Sequence, residues 1–442
     1  MLSVLANRTY RHLFAAQVIA LVGTGLATVA LGLLAYDLAG AEAGAVLGTA
    51  LAIKMVAYVG VSPVAAAFAE RLPRRSMLVT LDLVRAAVAL ALPFVNQVWQ
   101  VYVLIFVLQS ASASFTPTFQ ATIPDVLPEE WDYTRALSLS RLAYDLESVV
   151  SPMLAAALLT VVGFHTLFAG TVVGFLASAA LVVSVMLPSP QATERRGIYD
   201  RTTRGLRIYL ATPRLRGLLA MNLAAAAASS MVIVNTVVLV QSGYGLTQRS
   251  TALALAAFGG GSMVAALTLP KLLDRIPDRR AMLTGASLLT VCLVVGALVP
   301  NFPFLLVTWF VLGVGYSLTQ TPGGRLLRRS SRPEDRPSLF AAQFALSHVC
   351  WLITYPIAGW LGAKIGLPTT FIVLAVIAGL SIAAALALWP ANDPETIHHV
   401  HEALSGDDPH LQGAAKTGGG YRHAHVFVID GLHPEWPIGN HS

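Results

Sequence analysis

Twelve apolar runs long enough to cross a bilayer recur along the 442 residues, at about 12–38, 44–69, 77–95, 99–122, 136–160, 164–187, 214–241, 250–272, 281–299, 302–321, 337–362 and 367–389. A helix needs roughly 20 such residues to span the hydrocarbon, and in lipid each backbone N–H and C=O must bond within its own segment. The pattern therefore dictates an all-α polytopic membrane protein with twelve transmembrane helices. Charged residues are 12% of the chain against 55% apolar, about half the charge of a water-soluble domain. That balance excludes disordered and fibrous chains and argues against a cytosolic enzyme. The first run is too long for a signal-peptide core and stays as the first helix. Thr116-Pro117 and Thr321-Pro322 interrupt the fourth and tenth runs, where proline removes a backbone donor and kinks a helix. Cys292 and Cys350 lie in apolar runs and offer neither a disulfide framework nor zinc-ribbon spacing.

Basic residues orient the spans, since Lys and Arg are retained on the cytoplasmic side. One set of loops carries Arg71, Arg74 and Arg75, then seven arginines between Arg195 and Arg216, then Lys271, Arg275, Arg279 and Arg280, then five arginines between Arg325 and Arg336. The opposite set offers only Arg249 and Lys364. Both termini are thus expected in the cytoplasm of a multi-pass inner-membrane protein whose main partner is the lipid bilayer. This bias also accounts for the net charge of +6, without any nucleic-acid partner.

The segment from Glu70-Arg71-Leu72-Pro73-Arg74-Arg75 to Leu78 returns 204 residues later as Asp274-Arg275-Ile276-Pro277-Asp278-Arg279-Arg280 to Leu283. Thr116-Pro117 returns as Thr321-Pro322, and Ser151-Pro152 as Tyr355-Pro356. Two halves repeated about an axis along the membrane normal, with a substrate site near the midplane between them, are a transporter architecture. The expected organisation is an N-terminal six-helix bundle over 1–187, a cytoplasmic linker over 188–213, a second bundle over 214–389 and a tail over 390–442.

On these residues the chain resembles the major facilitator superfamily. The family's signature after the second helix, Gly-x-x-x-Asp-Arg-x-Gly-Arg-Arg/Lys, is similar to Ala66-x-x-x-Glu70-Arg71-x-Pro73-Arg74-Arg75, with Ala, Glu and Pro as departures. The resemblance implies a major facilitator fold and a charge network of Glu70, Arg71, Arg74, Arg75, Asp274 and Arg275 that latches the halves on the cytoplasmic side. The fifth run, through Asp145-Leu146-Glu147-Ser148-Val149-Val150-Ser151-Pro152, resembles the family's exporter motif with Ser151 in place of its Gly.

Ionisable groups at membrane depth cost several kcal/mol on insertion scales and so point to function. Asp145 and Glu147 lie about ten residues into the fifth run, or about 15 Å at helical rise, near the midplane. Arg141, one turn before Asp145, is placed to neutralise it, which leaves Glu147 as the freer carboxylate. His348 in the eleventh run falls close to the repeat equivalent of Tyr144, so Asp145, Glu147, Arg141 and His348 form the expected coupling site. Gln17, Gln109, Tyr144, Asn222, Asn235 and Trp351 are the expected cavity lining. Lys54 pairs with an acid or snorkels, with no role assigned, and Asp82 and Arg85 are expected to assist the latch.

Beyond Pro390 the composition changes: eight of eleven histidines and seven acids fall in 391–442. His398, His399, His401, His410, His423, His425 and His433 combine imidazole with neighbouring carboxylates and no thiol, which suits borderline divalent ions. Gly418-Gly419-Gly420 suggests a flexible tail whose groups converge only on an ion. In composition the tail is similar to those of the superfamily's nickel-resistance exporters. The resulting expectation is a proton-coupled secondary transporter, not an enzyme and without a cofactor. It exports a divalent transition-metal ion, nickel or cobalt before iron or zinc, and acts as a monomer. The competing expectation is a proton-coupled multidrug or siderophore exporter of the same superfamily.

Overall fold

The computed structural model describes the chain apart from residues 1, 70–72, 188–197, 274, 299–300, 333–334, 395, 402–407, 412–413, 419, 431, 434 and 438–442. Helices α1 (Arg8–Ala39), α2 (Ala43–Ala69), α3 (Arg74–Ala91), α4 (Val98–Val126), α5 (Glu130–Leu158) and α6 (Phe164–Val183) form the first half. After a linker helix α7 (Ile198–Ala211), the second half comprises α8 (Pro213–Val237), α9 (Gln248–Leu273), α10 (Asp278–Gly296), α11 (Phe302–Gln320), α13 (Arg336–Lys364) and α14 (Leu367–Leu388). A two-turn helix α12 (Gly323–Arg329) lies between α11 and α13. Ten stretches among the described residues are long and apolar enough to span a bilayer; the first, 8–61, holds α1 and the larger part of α2. The α5 helix carries Arg141, Asp145 and Glu147 in its sequence.

The halves repeat each other in packing as well as in sequence. In the first, α1 packs on α6, α2 on α4 and α3 on both α4 and α6; in the second, α8 packs on α14, α9 on α11 and α10 on both α11 and α14. On α14 the exposed Ile372, Val376 and Leu380 recur every fourth residue, a single apolar helix face that only lipid solvates. Gly261 and Gly313 let α9 and α11 touch backbone to backbone, for a Cβ on either would strike the carbonyl of Phe310 or Phe258. This is why the glycine-rich stretch of α9 belongs to a span.

The two prolines expected to interrupt helices behave differently. α4 runs unbroken through Thr116-Pro117, whereas α11 ends at Gln320 and Pro322 caps α12. In α4, Ser114, Thr118 and Thr122 hydroxyls donate to carbonyls one turn back, at 2.8 Å each, which pairs these hydroxyls within their own helix.

Asp82 and Arg85 of α3 are buried inside the first half, where they pair with each other. The Ser178 hydroxyl of α6 donates to Asp82 at 2.7 Å, and the guanidinium lies over Phe115 and Phe175 at 4.2 and 4.5 Å. The pair therefore ties α3, α4 and α6 together rather than assisting a latch between halves. Removing one partner leaves the other charge buried, at a cost of about 3–5 kcal/mol. Asp82→Ala is accordingly expected to lower the melting temperature in detergent markedly, with Asp82→Asn intermediate.

The tail is folded, contrary to its flexible composition. Strands β1 (Thr396–His401), β2 (Ala415–Thr417) and β3 (Gly420–Val426) make an antiparallel sheet in the order β1-β3-β2. Ile397, Phe427, Val428 and Ile429 are buried, so the apolar segment after β3 forms a small core. Asp393 accepts Arg214 of α8 at 3.5 Å and Arg329 of α12 at 3.3 Å, and Arg332 pairs with Asp430 at 2.5 Å. The tail is thus docked on the second half, at the end of the bundle that carries the linker.

Candidate functional site

Glu147 sits near the middle of α5, against α1 at Gly25. A Cβ on Gly25 would overlap Ser151 and lie 2.7 Å from Glu147 Oε1, so the glycine makes room for the carboxylate. Lys54 of α2 is half-buried in the same half. It lines a cavity together with Thr24, Thr28, Gln109, Ser112 and Phe175. Gln109 Oε1 there is buried without a hydrogen-bond partner. The Lys54 ammonium lies 5.7 Å above the Tyr58 ring, and Tyr58 stacks on His348 of α13 with centroids 5.1 Å apart and planes 4° from parallel. Carboxylate, ammonium, phenol ring and imidazole thus lead from α5 through α2 into the other half.

Several expected site residues are placed elsewhere in this arrangement. The His348 Nδ1–H donates to the Phe344 carbonyl at 2.6 Å, so the ring faces Tyr58 and its own helix. The backbone of α5 passes through Arg141 and Asp145, whose side chains lie outside the described residues. Gln17 accepts from Ser140 at 3.0 Å and Tyr144 bonds Thr116 at 3.1 Å, joining α1, α5 and α4. Asn235 donates to the Ala358 carbonyl at 2.9 Å and Trp351 to Ser229 at 3.1 Å, joining α8 to α13. Asn222 is buried in α8 with neither amide atom bonded. Lys54 is the participant to which sequence reasoning gave no role; its signal was a lone cation inside an apolar run.

Among the described residues, the partners of this expected charge network close within one half each. Glu70, Arg71 and Asp274 lie outside the described residues, and Arg275 is exposed in the turn before α10. Arg74 at the start of α3 pairs with Asp125 at the end of α4, and Arg75 donates to the Val183 carbonyl. The repeat inverts the signs: Asp278 at the start of α10 pairs with Arg325 of α12 at 3.4 Å.

Among the described residues, the hydrogen bonds that join the halves lie at the opposite, short-loop end. Arg249 of α9 donates to the Leu159 and Thr160 carbonyls at 2.8 and 2.7 Å, Ser242 to Tyr36 at 3.0 Å and Trp360 to Thr49 at 3.0 Å. There α2 and α13 cross with glycine against glycine: a Cβ on Gly48 would lie 2.6 Å from the Tyr355 carbonyl and 3.0 Å from Gly359 Cα. The two halves are in direct contact at this end.

A second constellation occupies the tail. His399 and His401 project from one face of β1, His423 and His425 from the same face of β3, because side chains alternate along strands and Ile397 pairs with His425 and His399 with His423. His410 from a 3₁₀ turn and His433 from the last loop join them; ligand nitrogens of His399, His410, His423, His425 and His433 lie within 4.8 Å of one another, and His401 meets His399 and His410 at 3.1 and 3.2 Å. His398 points from the other face and is exposed. Burial, together with the neighbouring imidazoles, holds His399 down to about 4, and lowers His401, His410, His423 and His433 as well. Burial alone pushes Asp430 up, but hydrogen bonds from His433 and the Leu432 N–H outweigh it and keep the carboxylate ionised.

The match to known proteins is broad at the level of family and thin at the level of cargo. The Major Facilitator Superfamily model matches residues 13–247 and 218–417. Macrolide efflux protein A of Streptococcus pyogenes is 27% identical over 152 residues, 32% of this chain and 37% of that protein. The chain thus matches little more than a third of that relative's length. The multidrug efflux pump Tap of Mycobacterium bovis is 25% identical over 281 residues, 61% of this chain and 66% of that protein. Among solved structures, an inward-facing bacterial homologue of the human lysosomal transporter Spinster superposes with a TM-score of 0.68 at 11% identity, covering 86% of this chain and 96% of that one. A D-xylose–proton symporter gives 0.65 at 12% identity, covering 86% and 98%. At such identities the structures speak for the fold, and with the family match they give the conclusion: this multi-pass membrane chain belongs to the Major Facilitator Superfamily.

Proposed function

We propose that the protein is a proton-coupled exporter of small organic molecules that works by alternating access, with Glu147 as the proton carrier. The observation that carries this reading is the Glu147 carboxylate set against Gly25 of α1 inside the first half, whose cavity Lys54 and Gln109 line. A carboxylate that gains a proton frees the ammonium to meet cargo, and one that loses it reclaims the ammonium, so one residue couples opposite fluxes. Export is supported by the macrolide and multidrug efflux relatives. The arginine-rich loops support a cytoplasmic linker end.

A nickel or cobalt cargo has weaker support. A cationic Lys54 on the cavity wall repels a divalent ion, and among the described residues the groups of His, Cys, Asp and Glu gathered as for a metal lie in the tail. The histidine cluster is nevertheless what favours that second reading. Growth of a deletion strain, with and without the restored gene, on macrolides, cationic dyes, nickel and cobalt separates the two. Restored tolerance to organic compounds with unchanged metal tolerance is expected; tolerance to metals alone contradicts the proposal.

A further inference from the structure

The six tail histidines do more than cluster; their geometry names a coordination number. His399 lies beside His401, His423, His425 and His433, and His410 beside the same four histidines, at centroid distances of 4.7 to 5.0 Å. His401 and His425 each neighbour His423 and His433 at 4.9 to 5.2 Å. The couples that are not ring neighbours are His399 with His410, His401 with His425 and His423 with His433. Six points with this adjacency, three opposed couples and every other pair adjacent, are the vertices of an octahedron.

The facing atoms are the Nε2 nitrogens. They lie 3.1 Å apart between His399 and His401, 3.0 Å between His399 and His433, 3.2 Å between His401 and His410, 3.2 Å between His399 and His423, and 3.3 Å between His425 and His433. Bonds of about 2.1 Å from a first-row ion to imidazole nitrogen would set adjacent ligands of an octahedron about 3.0 Å apart.

The outer nitrogens show that these are not hydrogen bonds. The Nδ1–H of His399 donates to the Ile397 carbonyl at 3.1 Å, that of His425 to the Val426 carbonyl at 2.8 Å, and that of His433 to Asp430 at 2.9 Å. A neutral imidazole has one N–H, so these three turn bare lone pairs inward. His399 faces His433, and His425 faces His433, lone pair against lone pair. Such an arrangement is repulsive unless a cation lies between them. Outer partners that fix the tautomer in this way are the usual support of metal-ligating histidines.

We propose that His399, His401, His410, His423, His425 and His433 form a six-coordinate, all-imidazole site for a divalent first-row transition ion. Zinc in structural sites is satisfied by four ligands, and copper(II) prefers a tetragonal arrangement. Six equivalent borderline nitrogens therefore fit nickel(II), cobalt(II) or iron(II), and affinity rises in the order iron, cobalt, nickel. Asp430 is a positioning residue: it orients His433 and ties the site to Arg332 beside α13. The site stands whatever the cargo of the membrane cavity.

The test uses the full-length chain in detergent, stripped with chelator and titrated calorimetrically with Ni2+, with a visible spectrum of the Co2+ form. One ion per chain is expected, with the weak absorption of six-coordinate Co2+. His399→Ala and His423→Ala should each weaken Ni2+ binding at least tenfold, and Asp430→Asn by about 10- to 100-fold. His398→Ala, on the opposite face of β1, should leave it unchanged. No saturable binding at one equivalent, an intense four-coordinate Co2+ spectrum, or equal losses in the His398 and His399 variants would each overturn the assignment. Equal losses would mean a loose chelating chain rather than a preformed site.

Discussion

Replacing Glu147 by Gln is expected to leave cells as sensitive to the exported compounds as a strain lacking the gene, with the protein present at normal levels. The amide keeps the size of the side chain against Gly25 and resembles the protonated acid, so packing and cargo binding persist. What it cannot do is release a proton. A positioned group that transfers a proton contributes roughly 10²-fold or more to a rate, and gradient-driven transport in proteoliposomes should fall by at least about 100-fold. Exchange of labelled for unlabelled cargo across the same membranes, which needs no net proton movement, should continue. Loss of both activities would assign Glu147 to cargo binding instead, and loss of neither would make it dispensable.

A comparably large effect is expected from Gly359→Leu. At the short-loop end a Cβ on Gly359 would strike the Gly44 carbonyl and lie 3.1 Å from Gly48 Cα. These are backbone atoms and cannot swing away, so the leucine holds α2 and α13 apart where the halves now seal. Overpacking of this kind costs about 1–3 kcal/mol, which disfavours the sealed state by roughly 5- to 150-fold. Spin labels at the exposed Asn96 and Ile365 on this end should show longer distances in the variant, and transport should be lost. An unchanged distance distribution would mean that the glycine crossing does not set the seal.

The fold was legible in the sequence because its cause is coarse. Spans are set by bilayer thickness, and the 204-residue repeat carried enough landmarks to pair the halves. The same offset relates the Arg74–Asp125 pair to Asp278 and α12, where the signs reverse. A sequence reader sees arginines and acids there but not that each pair closes within its own half, since pairing depends on which loops meet in a given conformation. Lys54 escaped for a similar reason. Its partner Glu147 is 93 positions away in sequence, on a helix whose neighbour is decided by packing.

The tail shows the opposite failure. Its chemistry was visible and its structure was not. Glycine and acidic residues suggest a solvated chain, yet His399-Val400-His401 and His423-Ala424-His425 both alternate at the period of a strand, with His398 left on the other face. That spacing is the signal that two strands carry four imidazoles on one surface. His410 and His433 join them only through a turn and a loop, which no periodicity reports.

In the proposed cycle an organic cargo moves against its gradient at the expense of protons entering through Glu147. Purified protein in proteoliposomes, with a pH step imposed across the membrane and a fluorescent macrolide or dye supplied, tests it directly. Cargo is expected to accumulate on the acidic side, and the accumulation to collapse when a protonophore removes the gradient. Cargo that equilibrates at the same rate and to the same level with or without the pH step would contradict it.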